Sequence, residues 1–419
     1  MKRISLDLPL HLTRRALMTG ALGAAFNATI AGSAFAAQSP GFARWVDAFH
    51  ARATRHGISD AVYFRVMRHL TPDTSVYEQQ SKQAEFTEDM WQYINRRCSE
   101  WRVNTGKERA KENAGVLARV EREFGVDRYI ILGLWGMESS FGDVVANPKY
   151  MKPVIPALAA LAYGEPRRRK YWEQELLNAL LIVEKGWGRP DEMVGSWAGA
   201  MGHTQWMPEV WLKMGVDFDH DGRVNPFGKP DDAFAGTAKY LLERGKYKRG
   251  EAWGCEVRMP HGAPRRLADN RTWRTYAKWN DIGVRRADGA AFHRPHDQVK
   301  LWQPAEGGPA FLVGQNFRAV YSYNPSSSYS LALVHLGDLV RGDGPFRQQF
   351  PGGERAPTLE EVKEIQRRLK ERGYPMDTVD GRTGSDTVRA IAAFQKKVDM
   401  DPADGYAGLK VLARLRQPN

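Results

Sequence analysis

Little in this 419-residue chain could organise it around sulfur. It holds two cysteines, Cys98 and Cys255, far apart and in no metal-ligand spacing, which excludes a zinc-type site or a disulfide-stapled scaffold. Spacing alone leaves open one disulfide between them or two inert thiols. Long hydrophobic runs are also missing. The apolar stretch Leu22 to Phe35 is too short and too rich in Ala and Gly to span a bilayer stably. Acidic residues are the minority, 49 Asp+Glu against 61 Lys+Arg, for a net charge of +12. Lys2, Arg3, Arg14 and Arg15 face only Asp7 in the first 36 residues, leaving +9 for the rest. A basic surface suits a polyanion: nucleic acid, an anionic membrane face, or a wall polymer with its peptide carboxylates. No RNA- or DNA-binding motif is present to favour nucleic acid. General solubility charge is the plain alternative.

The N-terminus reads as an export leader. Arg14-Arg15 precede the apolar stretch, and Ala34-Phe35-Ala36 gives the small-x-small pattern of a cleavage site. The adjacent arginines resemble a twin-arginine signal; an ordinary secretion signal is the alternative. Residues 1–36 are thus expected to be removed and the mature chain to begin near Ala37, outside the cytoplasm. No cysteine follows the apolar region, so no lipid anchor is expected.

From about Gly41 onward helical periods dominate. Trp45, Phe49 and Ala53 fall at i, i+4, i+8; Phe86, Met90, Tyr93 and Ile94 repeat the pattern, as do Leu176, Leu177, Leu180 and Leu181. Breaks are expected at Asn147-Pro148, Pro153, Pro156 and Gly164-Glu165-Pro166. β-like pieces appear only around Glu256–Met259 and Ala310–Val313. The expectation is a mainly α fold with a small β-containing insertion over 37–340, a Gly/Pro-rich linker over 341–357, and a three-helix unit over 358–417. In that last unit Asp380-Gly381-Arg382-Thr383-Gly384 recurs as Asp404-Gly405-Tyr406-Ala407-Gly408 ahead of a helix, which predicts a duplicated turn–helix. Ser385 is the expected N-cap of the middle helix. The unit holds no paired catalytic groups and reads as a binding module.

Four segments could carry chemistry. In Asp127 to Gly142, Asp127 can cap a helix and Gly142 can end it, with Ile130, Ile131, Leu134 and Glu138 on one face. A carboxyl at the end of an apolar stripe, in the last helical turn, is biased toward its neutral form. A general acid needs that form to protonate a glycosidic oxygen. A solvent-facing or salt-bridged Glu is the bland alternative. The second segment is Ser196 to Pro208, where Ser196, His203 and Gln205 are polar among small and apolar residues and Trp206 could stack on a sugar. His203 has no carboxylate or nucleophile visible beside it and carries little as a base. The third, Asp217 to Asn225, matches the first half of a calcium loop through Asp217, Asp219 and Asp221, with Gly222 at the turn and Arg223 giving only its carbonyl. Gly228 stands where a bidentate Glu belongs, and Asp231 or Asp232 could replace it; an Asx-rich turn without an ion is the alternative. The fourth is Tyr321 to Tyr329. Asn324 can donate to and accept from an N-acetyl group, and Tyr323 and Tyr329 offer stacking surface. A helix-entry turn is the plain reading.

These segments, in this order from about Gly41 to Leu339, resemble the B-type membrane-bound lytic murein transglycosylases. The last unit resembles a peptidoglycan-binding domain. The resemblance implies a lysozyme-like α-rich fold and non-hydrolytic cleavage of the β-1,4 bond between N-acetylmuramic acid and N-acetylglucosamine, leaving 1,6-anhydromuramic ends. It implies Glu138 as sole acid and then base. It implies glycan contacts at Ser196, Gln205 and Asn324, with aromatic contacts at Trp206, Tyr240, Tyr323 and Tyr329. It implies a structural calcium on Asp217, Asp219, Asp221, the Arg223 carbonyl and Asp232, and no cofactor for the chemistry. The expected partners are peptidoglycan strands, in the periplasm. His203-Thr204 falls in a variable part of the second motif. A hydrolytic muramidase of the same fold, or a non-catalytic wall-binding protein, are the alternatives.

Overall fold

The computed structural model describes residues 39–83, 88–145 and 147–418; the expected leader and Phe86 lie outside them. Seventeen α-helices and two small sheets make up the described chain, a mainly helical architecture. Helices form where the apolar periods lie. Trp45, Phe49 and Ala53 fall on Pro40–Arg55, whose first turn is closed by Phe42 N–H donating to Ser39 Oγ. The Met90 and Leu176 patterns become Met90–Arg97 and Arg169–Glu184. Pro156 does not break the chain. It sits in the first turn of Val154–Gly164, where a missing N–H costs no helical bond.

The two expected β segments pair with each other. Gly254–Arg258 and Ala310–Val313 lie antiparallel, Cys255 opposite Leu312, inside a five-stranded sheet completed by Asp269–Thr275, Gln298–Trp302 and Arg285–Arg286. This sheet has its own small core around Val257, Trp279 and Leu301. Cys98 is elsewhere, its thiol donating to Ala332 O at 3.3 Å. Both thiols are free, and burial pushes each up to about 12, so the disulfide option closes.

Two helices cross at the centre of the main core, Arg128–Ser139 and Ser327–Arg341. Their backbones touch because glycine stands at both contact points. A Cβ on Gly133 would overlap the Leu333 carbonyl oxygen, and one on Gly337 would lie 2.5 Å from that of Tyr129. This close crossing brings Glu138 on one helix to Tyr329 on the other.

The last core belongs to Leu359–Glu371, Ser385–Lys397 and Leu409–Arg416. Gly384, not Ser385, is the N-cap of the middle helix; Ser385 is its first residue. The duplicated turns are alike down to their hydrogen bonds. Buried Gln366 accepts from Gly381 N–H at 2.8 Å and donates to Asp380 at 3.2 Å; buried Gln395 accepts from Gly405 N–H at 2.7 Å and donates to Asp404 at 2.9 Å. Each glutamine fixes an Asp-Gly turn to the helix before it.

Candidate active site

Glu138 occupies the last turn of Arg128–Ser139, a helix started by Asp127 Oδ1 accepting from Tyr129 N–H at 2.8 Å. Ile130, Ile131 and Leu134 on the same helix are buried; Glu138 is half-buried. Tyr329 Oη donates to Glu138 Oε1 at 2.6 Å. The helix ends two residues before Gly142, at left-handed Ser140 (φ 53°), and Phe141 and Gly142 are left-handed too. A buried arginine closes this end. Arg102 Nη1 donates to Gly136 O at 2.5 Å and to Ser140 Oγ at 3.0 Å, meeting one of the last-turn carbonyls that the helix cannot satisfy itself. Nothing in the sequence marks Arg102. It sits in a polar helix, Glu100–Glu112, with no motif around it, and its burial is a tertiary fact.

The second segment is tied to the first. Ser139 Oγ donates to His203 O at 2.7 Å and accepts from Gly142 N–H at 3.0 Å. The His203 ring is held at both nitrogens. Nδ1 accepts from Trp135 Nε1 at 3.1 Å, so Nε2 carries the proton and donates to Gly228 O at 2.8 Å. Burial lowers its pKa. A neutral imidazole with both positions used is a wedge, not a base. Gly202 (φ 73°) turns the chain where any Cβ would strike Pro226. Ser196 Oγ accepts from Ala200 N–H at 3.2 Å, and Gln205 Nε2 donates to Gly202 O at 3.0 Å. Trp206 departs from its expected role. It has no exposed surface, its N–H donates to Thr237 Oγ1 at 3.2 Å, and Gly236 lies against its ring. It supports the loop from beneath and has no face open to a sugar.

The fourth segment closes over the second. Tyr323 Oη donates to Thr204 O at 2.6 Å, Tyr240 Oη donates to Ser322 O at 3.0 Å, and the two rings meet edge-on at 5.0 Å. Both tyrosines are buried, as is Tyr329. Asn324 ends the helix Gln315–Tyr323, and Ser326 caps the next. Asn324 is 1% exposed, and its Oδ1 has no hydrogen-bond partner among the described residues. Leaving a buried acceptor unpaired costs about 1–3 kcal/mol.

The third segment lies apart from these contacts. Asp217, Asp219 and Asp232 bring ligand oxygens within 4.8 Å of one another. Asp219 Oδ1 is buried without a partner among the described residues. Asp232 accepts from Phe218 and Asn225 N–H at 2.7 and 2.8 Å, and burial, with Asp219 adding to it, raises its pKa. Asp221 is not in the cluster; its carboxylate accepts from Arg223 N–H at 3.0 Å and pairs with the Arg223 side chain at 3.8 Å.

A carboxyl in the last turn of a buried helix, bonded to Tyr329 and adjoining a glycine-rich loop through Ser139, lies on a lysozyme-like helical fold of the class that processes glycans. The comparisons name it more closely. The transglycosylase SLT domain family matches residues 41–338, and a peptidoglycan binding domain matches 358–415; the chain belongs to the transglycosylase SLT domain family. Membrane-bound lytic murein transglycosylase B of Escherichia coli (strain K12) is 30% identical over 233 residues, covering 54% of this chain and 60% of that protein. The match therefore spans less than two thirds of that relative. The crystal structure of SltB3 from Pseudomonas aeruginosa in complex with NAG-anhNAM-pentapeptide is 37% identical, covering 90% of this chain and 100% of the other, with a TM-score of 0.69. Escherichia coli Slt35 in complex with calcium, 23% identical and covering 78% and 97%, shares the fold with a TM-score of 0.59. Among the described residues no helix is long and apolar enough to cross a membrane.

Proposed function

We propose that this protein is a lytic transglycosylase that cuts peptidoglycan strands between N-acetylmuramic acid and N-acetylglucosamine, with Glu138 as acid and then base. The observation that carries the reading is the Tyr329–Glu138 hydrogen bond. It holds the carboxyl through Oε1 and so orients the acid to pass a proton to a glycosidic oxygen. In the segments that form the site the other carboxylate, Asp127, caps the far end of the same helix, whereas ordinary glycosidases place two at the bond they cut. A transglycosylase needs one. Glu138 protonates the leaving oxygen as the C1–O bond breaks, and the muramic N-acetyl oxygen supports the cationic C1. The ionised carboxylate then takes the proton from the C6 hydroxyl as O6 bonds to C1. The anhydro ring forms, Glu138 regains its proton, and no water is consumed.

Asn324 Oδ1 is the best placed of the remaining groups to accept from a sugar amide or hydroxyl. Ser196 and Gln205 shape the loop, and Tyr240, Tyr323 and Tyr329 frame the wall. Residues 1–36 would deliver the protein to the periplasm. Asp217, Asp219 and Asp232 fit a hard cation such as calcium, because the buried Asp219 oxygen needs a positive partner; the ion would brace the loop against the helix Asp231–Glu243. The test is mass spectrometry of products from purified sacculi. Anhydro ends, absent with Glu138→Gln while sacculus binding persists, are expected. Reducing ends would make it a hydrolytic muramidase, and undiminished lysis by the variant would overturn the role of Glu138.

A further inference from the structure

Both duplicated turns of the C-terminal unit rest on the catalytic unit. From the second turn, Asp404 accepts from Gln92 Nε2 at 2.6 Å, and Tyr406 accepts from Asn95 Nδ2 at 3.0 Å and meets Trp91 edge-on. From the first, Arg382 lies over the Trp101 ring at 4.1 Å and pairs with Asp143 at 3.3 Å. Arg382, Trp101 and Asp143 of the first contact line a cavity of about 340 Å³, within the range of small-ligand sites (~300–1,000 Å³). It adjoins the chemistry: Ser140, Asp143 and Val144, just past Glu138, form part of its wall.

The cavity is bipolar. Its catalytic-unit wall presents Arg96, Arg97, Arg102 and Lys149, and its C-terminal wall presents Asp377, Asp380 and Asp386. Asp143 and Arg382, the exceptions on each wall, pair with each other. Arg102 is 7% exposed, and its Nε has no hydrogen-bond partner among the described residues, nor has that of Arg96. Asp386, beside Asp377, raises the pKa of the Asp377 carboxyl, while Asp386 itself is held low. Asp386 already pairs with Arg389 of its own helix at 2.5 Å, and Lys149 of the catalytic unit stands 4.0 Å from it. Both of these cations sit beside Asp386, whereas Asp377 and Asp380 line the cavity without an ion pair among the described residues.

We propose that this composite cavity binds the peptide stem of the wall strand, with the peptide carboxylates toward Arg96 and Arg102 and a free ammonium toward Asp377 and Asp386. A peptide with several carboxylates and one amine matches both walls, whereas a plain polyanion would meet the three aspartates. The inference rests on the wall-glycan reading of the same molecule. It gives the C-terminal unit half of a substrate site, beyond that of a tether.

The test is calorimetric titration of the full chain with the N-acetylated tripeptide alanyl-γ-glutamyl-diaminopimelate, whose blocked N-terminus leaves a single free amine. The peptide has no glycosidic bond, so its binding is independent of whether Glu138 cleaves anything. Saturable binding is expected, at least tenfold weaker for the tripeptide with its carboxylates amidated. Arg96→Gln and Asp377→Asn should each weaken it at least tenfold. Asp377 is exposed, so its variant keeps the fold should loss of the Arg96–Glu88 pair disturb it. Absence of binding, or binding unchanged by Asp377→Asn, overturns the proposal. Reducing ends in the product assay would overturn the transglycosylase reading and leave this one standing.

Discussion

Replacing Tyr329 by phenylalanine removes one hydroxyl from the candidate site and leaves the ring in its buried seat. The hydroxyl donates to Glu138 Oε1 at 2.6 Å. Its worth depends on the protonation state of its partner. A hydrogen bond to a charged acceptor contributes about 1.5–3 kcal/mol and one to a neutral acceptor about 0.5–1.5 kcal/mol. The difference, about 1–1.5 kcal/mol, is what the bond adds when Glu138 becomes a carboxylate, the change that accompanies protonation of the leaving oxygen. Its loss slows that step roughly 5- to 15-fold. The same loss makes the carboxyl harder to ionise, so the high-pH limb of the rate profile moves to higher pH. The assay is chromatographic release of anhydro-muropeptides from sacculi across pH 4 to 9, with melting temperature as a fold control. An unchanged rate, or a slower rate with a fixed limb, would refute the argument, because either result removes the coupling between the hydroxyl and the proton on Glu138.

Gly133→Ala forces a methyl against the Leu333 carbonyl. It should lower stability by about 1–3 kcal/mol and reduce cleavage with it, read by denaturant unfolding; an unchanged midpoint would show that the helix crossing can relax. Burial pushes Asp338 up to about 7, beneath Trp253 Nε1 at 2.9 Å. A raised carboxyl favours the fold below its unfolded value near 4, and that contribution fades as pH rises through 7. Stability should therefore fall by up to roughly 4 kcal/mol over that window, and Asp338→Asn should flatten the slope in thermal melts; equal slopes would remove Asp338 as the cause. Calcium at about a hundred times its dissociation constant should stabilise the protein by about 2.7 kcal/mol. Asp219→Asn should lose most of this gain, and an equal melting shift in both proteins would place the ion elsewhere.

Much of the fold is legible in the sequence because it is local. Asp127 caps its helix, the apolar periods become helices, and the two β segments pair. What misleads is also local. A proline reads as a break, yet Pro156 fits a first turn. A tryptophan beside polar residues reads as a stacking surface, yet Trp206 is held inward by Thr237 and Gly236. Gly142 reads as the helix stop, but Ser140 takes the left-handed position because Arg102 and Ser139 bond the turn around it.

The role of the C-terminal unit shows why the remainder is hidden. The repeat Asp380-Gly381 and Asp404-Gly405 announces two similar turns, and identical residues do identical work inside the unit, each turn bound by a buried glutamine. The repeats differ in the residue after the glycine, Arg382 in one and Tyr406 in the other. Those two side chains make contacts with the catalytic unit, Arg382 to Trp101 and Asp143, Tyr406 to Asn95 and Trp91. Duplication keeps the frame and divergence sets the interface, so a search for likeness finds the fold and passes over the surface. The same holds for Arg102, whose pattern is that of any solvated arginine until a second helix end is brought against it. Function here depends on groups paired across distant segments, and those pairings exist only once the chain is folded.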